Sequence, residues 1–244
     1  MRPPRITFAG GHYHITTRCN NKEFLFKDSD DFKLYLDFIR KGKKKHEIKI
    51  YTYALMHNHV HLFACTPKKG NFSEFMHYVN GEFAKAYNRS HSRKGYFWGE
   101  RFHSTIVEAD SQLFNTIAYI YIEINAVKVK IVKSPNDWKW SSYNAHAFGE
   151  SDSILDEHAQ YAELGNDKAT RQMQHRKMIQ DYMEEYGLVV SAPISKGIIT
   201  GSESFVDSLL ERFKCINKFY EKRKIFNHGN DCFCLVRLPK NASK

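Results

Sequence analysis

Nowhere in the 244 residues does an apolar run approach the roughly 20 residues that a membrane-crossing helix requires, and the opening Met1-Arg2-Pro3-Pro4-Arg5 has no apolar segment suited to a secretion signal. The expectation is a cytoplasmic protein with no membrane partner. Cysteine is sparse and unpatterned: Cys19, Cys65, Cys215, Cys232 and Cys234 are odd in number and form no C-x-x-C pair, so neither a disulfide framework nor a standard zinc site is implied. His228 stands near Cys232 and Cys234, but that spacing matches no structural zinc pattern. Acidic residues are outnumbered, 27 against 37 Lys and Arg, for a formal charge of +10. The surplus favours a polyanionic partner, of which nucleic acid is the obvious one, although charge alone does not decide it. An apolar content of 42% suits a globular protein with one sizeable core and a small second unit.

The most informative stretch is Ala54-Leu55-Met56-His57-Asn58-His59-Val60-His61-Leu62-Phe63-Ala64, a greasy run interrupted by three histidines spaced two apart. Side chains alternate faces along a strand, so His59 and His61 project to one side while Val60 enters a core. Two imidazoles on one face can share a metal. His57 has the same parity, but Asn58 marks a turn that takes it out of the strand. The competing reading is a half-buried strand whose histidines merely face water.

In chain order, Gly10-Gly11 mark a turn before a strand at 12–18, and Asp28, Ser29 and Asp30 offer caps for a helix carrying Phe32, Tyr35, Phe38 and Ile39. Strands at 48–56 and 59–66 follow, then a periodic helix over about 71–89, in which Gly81 suggests close packing against a neighbour. A basic, aromatic loop leads to a strand at 101–108, and Asp110 can cap a helix over 111–132. On that helix Leu113, Ile117, Ile120, Ile124 and Val127 form the core stripe. Tyr121 and Asn125, one turn apart, share its flank, and Tyr119 lies far around from Asn125. This order fits an α+β ferredoxin-like fold, an antiparallel sheet with packed helices, occupying residues 1–149. Residues 150–244 read as a linker near 151–157 and a small C-terminal helical region, with helices at 168–186 and 202–213. Lys214, Lys218 and Lys222 form a basic stripe if the last helix continues.

The segment Leu55-Met56-x-Asn58-His59-Val60-His61-Leu62 resembles the M-x-N-H-V-H-L motif of the HUH single-tyrosine transposases, the REP-associated tyrosine transposases and their IS200-like relatives. Gly11-His12-Tyr13-His14-Ile15-Thr16 with Arg18-Cys19-Asn20-Asn21 is similar to their opening strand and turn. Tyr96-Phe97-Trp98-Gly99-Glu100-Arg101-Phe102 resembles their aromatic loop, Tyr121-Ile122-Glu123-Ile124-Asn125-Ala126-Val127 their catalytic helix, and Trp138-x-Trp140-Ser141-Ser142-Tyr143 their closing segment.

The resemblance implies the same fold and an enzyme in which Tyr121 attacks a phosphodiester while His59, His61 and Asn125 hold a divalent metal ion, Mg²⁺ or Mn²⁺. The product would be a 5′-phosphotyrosine link and a free 3′-OH, and reversal would rejoin strands. Single-stranded or hairpin DNA is the expected partner of a monomer or homodimer, with Arg18, Arg93, Lys94, Trp98 and Arg101 as DNA-binding candidates. Two positions depart from the pattern, His57 and Ala126 each standing where proline is usual. Two other functions fit the same residues: a non-catalytic DNA- or RNA-binding regulator, and a hydrolytic metallonuclease using water.

Overall fold

The computed structural model describes residues 5–66, 72–188, 197–227 and 230–238, and the side chains among them except at 112–115, 225–227, 230 and 231. Among the described residues the elements are β1 (His12–Arg18), α1 (Ser29–His46), β2 (Lys49–Leu55), β3 (His59–Cys65), α2 (Phe72–Ser90), β4 (His103–Val107), α3 (Gln112–Glu123) and α4 (Asn125–Lys128). There follow α5 (Tyr143–Phe148), α6 (Ala159–Ala162), α7 (Lys168–Tyr186), β5 (Ile199–Gly201), α8 (Glu203–Arg212), β6 (Tyr220–Asn227) and β7 (Asn230–Arg237). The strands join one sheet in the order β2-β3-β1-β4-β5-β7-β6, with only β4 and β5 parallel. This is the α+β layered fold that the sequence led us to expect. No helix among the described residues is long and apolar enough to cross a membrane.

Strand parity sorts the layers. Tyr13 on β1 packs its ring on Phe72 of α2, 4.5 Å between centroids, whereas its neighbour His14 faces Tyr121 of α3 at 5.5 Å. Adjacent strand residues point to opposite faces, so α2 covers one side of the sheet and α3 the other. All seven residues of β3 are buried for that reason, including both histidines. On the α2 side, Phe26, Phe32, Tyr35, Phe83 and Phe97 are almost fully buried in an aromatic cluster.

Local chemistry explains the boundaries. The Asp28 side chain accepts from the Asp30 and Asp31 amides, and Asp31 accepts in return from the Asp28 amide, a reciprocal cap that starts α1. The close approach expected at Gly81 occurs instead at Gly42 of α1. A Cβ there would meet Val79 at 2.8 Å and Phe75 at 3.1 Å, whereas one at Gly81 would meet nothing within 4 Å. Ser111, not Asp110, is the residue before α3, and its side chain makes no capping hydrogen bond. The helix expected over 111–132 is interrupted at Ile124, where ψ is 1°, and ends with α4.

Beyond residue 149 the expected helices form, α7 over Lys168–Tyr186 and α8 over Glu203–Arg212, but three further strands extend the sheet. The stretch 151–157 is packed: Ile154 is fully buried and Asp156 accepts the Ile50 amide at 2.9 Å. The lysine stripe does not continue a helix, because a short turn at 214–216 gives way to β6, where Lys222 pairs with Glu203 and Asp207. Cys232 and Cys234 are buried in β7, and His228 lies outside the described residues.

Candidate active site

β1 and β3 pair so that Thr16 lies opposite His61 and Arg18 opposite His59, which gathers these side chains with His14 on the face under α3. Tyr121 closes the site from above. Its ring meets those of His61 and His14 edge-on, both at 5.5 Å, and the Lys128 ammonium lies 5.1 Å from its ring centre. One turn on, the Asn125 amide nitrogen stands 3.3 Å from His61 Nε2. Thus His59, His61, Asn125 and Tyr121 come together within one chain. Tyr119 instead points to the opposite side of α3, against His146 and His175.

The ring nitrogens have divided roles. His59 Nδ1 is 2.6 Å from Asn58 Oδ1, an oxygen that can only accept, so Nδ1 carries the proton and Nε2 keeps its lone pair. His61 Nδ1 is 2.9 Å from His14 Nε2 and 3.3 Å from the Thr16 hydroxyl. With His61 donating to His14, its Nε2 lone pair also faces Asn125. Burial, then the charge of Arg18, lowers the His59 pKa to about 4, with the nearby Asn125 side chain working in the opposite direction. Burial, then His59, His14, Arg18 and Lys128, holds His61 well below its ordinary value. Both imidazoles are therefore neutral at pH 7, the state in which they can ligate a cation.

The decisive atom is Asn125 Oδ1, which is buried and has no hydrogen-bond partner among the described residues. A buried acceptor left unpaired costs about 1 to 3 kcal/mol, so it marks a place for an absent donor or cation. Two neutral imidazoles beside a bare amide oxygen form a donor set that fits a divalent ion.

The remaining candidates are distributed differently. Arg18 and Arg101 line one cleft of about 500 Å³ together with Thr16, Asn20, Lys22 and His103, next to the histidines. Arg101 also opens onto a groove of about 950 Å³ beside Tyr96 and Lys85. Tyr96 is 83% exposed, whereas Trp98 donates from Nε1 to the Asn80 carbonyl at 2.9 Å and packs on Phe97. Arg93 is tied to the Tyr96 carbonyl, and Lys94 is exposed. His57 is half-buried and turned away from the site, its Nδ1 donating to the Phe26 carbonyl at 2.8 Å and its ring edge-on to Phe32 and Trp138.

Two residues were missed by sequence reasoning. Lys128 could have been found, since seven residues bring it back to the Tyr121 side of a helix. His14 could not, because its role depends on the β1–β3 register. A third group lies across α3: the ligand atoms of Glu123, His146 and His175 fall within 4.8 Å of one another, a buried grouping that could bind a metal ion.

Residues 7–123 match the family model described as transposase IS200 like. The chain carries an IS200-like transposase domain. Its fold is similar to that of a REP-associated tyrosine transposase solved bound to a REP hairpin, with 21% identity and a TM-score of 0.52 over 64% of this chain and 92% of that one. A protein of Deinococcus radiodurans assigned as a transposase is 16% identical, with a TM-score of 0.35 over 44% of this chain and 87% of that one. The comparison with curated proteins gives no match. The transposase domain as matched spans β1 through α3, and so contains His14, His59, His61 and Tyr121, while Asn125 lies two residues past its end.

Proposed function

We propose that the protein nicks and rejoins single-stranded or hairpin DNA through a 5′-phosphotyrosine intermediate on Tyr121, with His59, His61 and Asn125 holding a divalent ion of the Mg²⁺ or Mn²⁺ kind. The observation that carries this reading is the bare Asn125 Oδ1 beside two neutral imidazoles, one helical turn from a tyrosine. An ion bound there would polarise the scissile phosphate as a Lewis acid. Tyr121 Oη bonds to phosphorus as its proton is lost, and the P–O3′ bond breaks, the departing oxygen taking up a proton to leave a 3′-OH. Attack by another 3′-OH on the phosphotyrosine reverses the step and requires no ATP, since the ester bond is conserved. Arg18 and Arg101 in the cleft beside His59 would neutralise the backbone phosphates, joined at the rim by Arg93 and Lys94. Tyr96 would stack an unpaired base, on a loop held from beneath by Trp98. Because all four site residues come from one chain, a monomer suffices for nicking.

The test is incubation with a single-stranded hairpin DNA and Mn²⁺, resolved on a denaturing gel. The wild type should give a covalent protein–DNA adduct at the 5′ end of the cut strand. Tyr121→Phe should lose adduct and cleavage together, by at least about a thousandfold, while Tyr119→Phe behaves as wild type. Continued cleavage by Tyr121→Phe would point to a hydrolytic metallonuclease, and binding with no cleavage in any variant to a regulator.

A further inference from the structure

Glu123 occupies the last position of α3, midway between Tyr121 and Asn125 in sequence but on the opposite side of the helix, where it is fully buried. Its Oε1 accepts from His146 Nδ1 at 2.7 Å, the Ser142 hydroxyl at 2.7 Å and the Thr52 hydroxyl at 3.1 Å, and its Oε2 from His175 Nε2 at 2.7 Å. Four donors from β2, the segment before α5, α5 itself and α7 converge on one carboxylate. Neither oxygen is left without a donor, Oε1 accepting three times and Oε2 once. Immediately after Glu123 the helix is interrupted at Ile124, between the tyrosine and the amide it must align with. The backbone ladder still passes through Ile124, whose amide donates to the Ile120 carbonyl at 3.0 Å and whose carbonyl accepts from Lys128 at 2.9 Å, and the Glu123 side chain adds a fixed point beside it.

We infer that Glu123 is a positioning residue: hydrogen-bonded by His146 and His175, it anchors α3 at the break and sets the aim of Tyr121, which makes α7 a working part of the active site. The family match ends at residue 123, so Ser142, His146 and His175 all lie beyond it. The inference rests on Tyr121 being the nucleophile, and its test separates the two claims.

The variants are His175→Ala, which removes the α7 donor, and His175→Gln, whose amide nitrogen can replace it. In the full-length protein, hydrogen exchange over residues 117–128 should rise in His175→Ala and return toward wild type in His175→Gln. In single-turnover cleavage of the hairpin, His175→Ala should slow adduct formation about 10- to 100-fold with hairpin affinity unchanged within about twofold, and His175→Gln should restore most of the rate. Exchange is read without DNA, so it judges the anchor even if no adduct forms at all, an outcome that would fault Tyr121 and not Glu123. Unchanged exchange in His175→Ala, or a normal cleavage rate, overturns the inference. So does a stoichiometric metal ion that persists in a His59→Ala/His61→Ala protein and is lost on adding His175→Ala, since the cluster would then be a metal site.

Discussion

The two sides of α3 carry nearly the same chemistry in opposite states. One presents His59, His61 and the oxygen of Asn125; the other His146, His175 and the oxygens of Glu123. On the first side the amide oxygen is buried with no partner, and on the second both carboxylate oxygens are engaged, one of them three times over, although the Tyr119 hydroxyl beside them is also buried without a partner. Residue composition therefore does not separate the two groups, whereas the hydrogen-bond satisfaction of the Asn125 and Glu123 oxygens does. A satisfied cluster is sensitive to subtraction, and an unsatisfied one awaits addition.

The largest effect should come from emptying the satisfied side. Burial alone would push the Glu123 carboxyl up, but His175 and His146, through charge and hydrogen bonds, hold it well below the usual carboxylate range. Glu123→Ala leaves four buried donors without their acceptor and should cost about 3 to 5 kcal/mol by denaturant unfolding. A loss under 1 kcal/mol would show that the donors find other partners and that the two sides differ less than the geometry says.

Acid should separate the sides in sequence. His59 is held near 4 in the fold and titrates at its ordinary 6.5 when unfolded, so the unfolded chain gains a proton that the native state refuses. The stability that its neutral state contributes is complete above pH 6.5 and is lost as pH falls toward 4, by roughly 3 kcal/mol for this group, with His61 acting in the same direction. Glu123, depressed below its ordinary 4.5, stays ionised in the fold through that window, and its contribution is complete above about 4.5 and lost as pH falls below it. Metal-free His59→Asn should accordingly show a flatter stability curve between pH 6.5 and 4 than the wild type. Superimposable curves would remove the burial argument for the histidines.

The smallest change in stability is expected at the unsatisfied oxygen itself. Asn125→Ala deletes an unpaired acceptor along with one hydrogen bond, so unfolding should shift by no more than about 1 kcal/mol. Calorimetry should nonetheless find Mn²⁺ binding weakened at least about tenfold, because a donor to the ion is gone. A large stability loss with unaltered Mn²⁺ affinity would make Asn125 a core residue and reverse the comparison.

How much of this was legible follows from which periodicities are local. The pairing of His59 with His61 needed only strand alternation, and that of Tyr121 with Asn125 only the turn of a helix. His14 was invisible in that sense, since its partner is 47 residues away and is chosen by register. The Glu123 cluster was equally hidden, with donors 19, 23, 52 and 71 positions distant. The stripe of Lys214, Lys218 and Lys222 suited a continued helix because residues four apart share a helix face, but an even spacing also suits a strand, and Lys222 lies in β6. Gly81 misled for a related reason: a glycine in a helix invites close packing, but only the neighbouring helix decides which glycine is approached.

The parallel pairing of β4 with β5 sets a timetable. Ile106 and Val107 wait for Ile199 and Thr200, a closure spanning about ninety residues and so one that loop entropy makes slow. Until that closure, the backbone groups along one side of β4 have no neighbour, as on any unprotected sheet edge. Synthesis runs from the amino end, so β1 to β4 and the strand-borne histidines are made well before their sheet is completed. A chain that stops before residue 199 should therefore be prone to strand-to-strand association with its own kind, and the arrival of β5 is what covers the β4 edge.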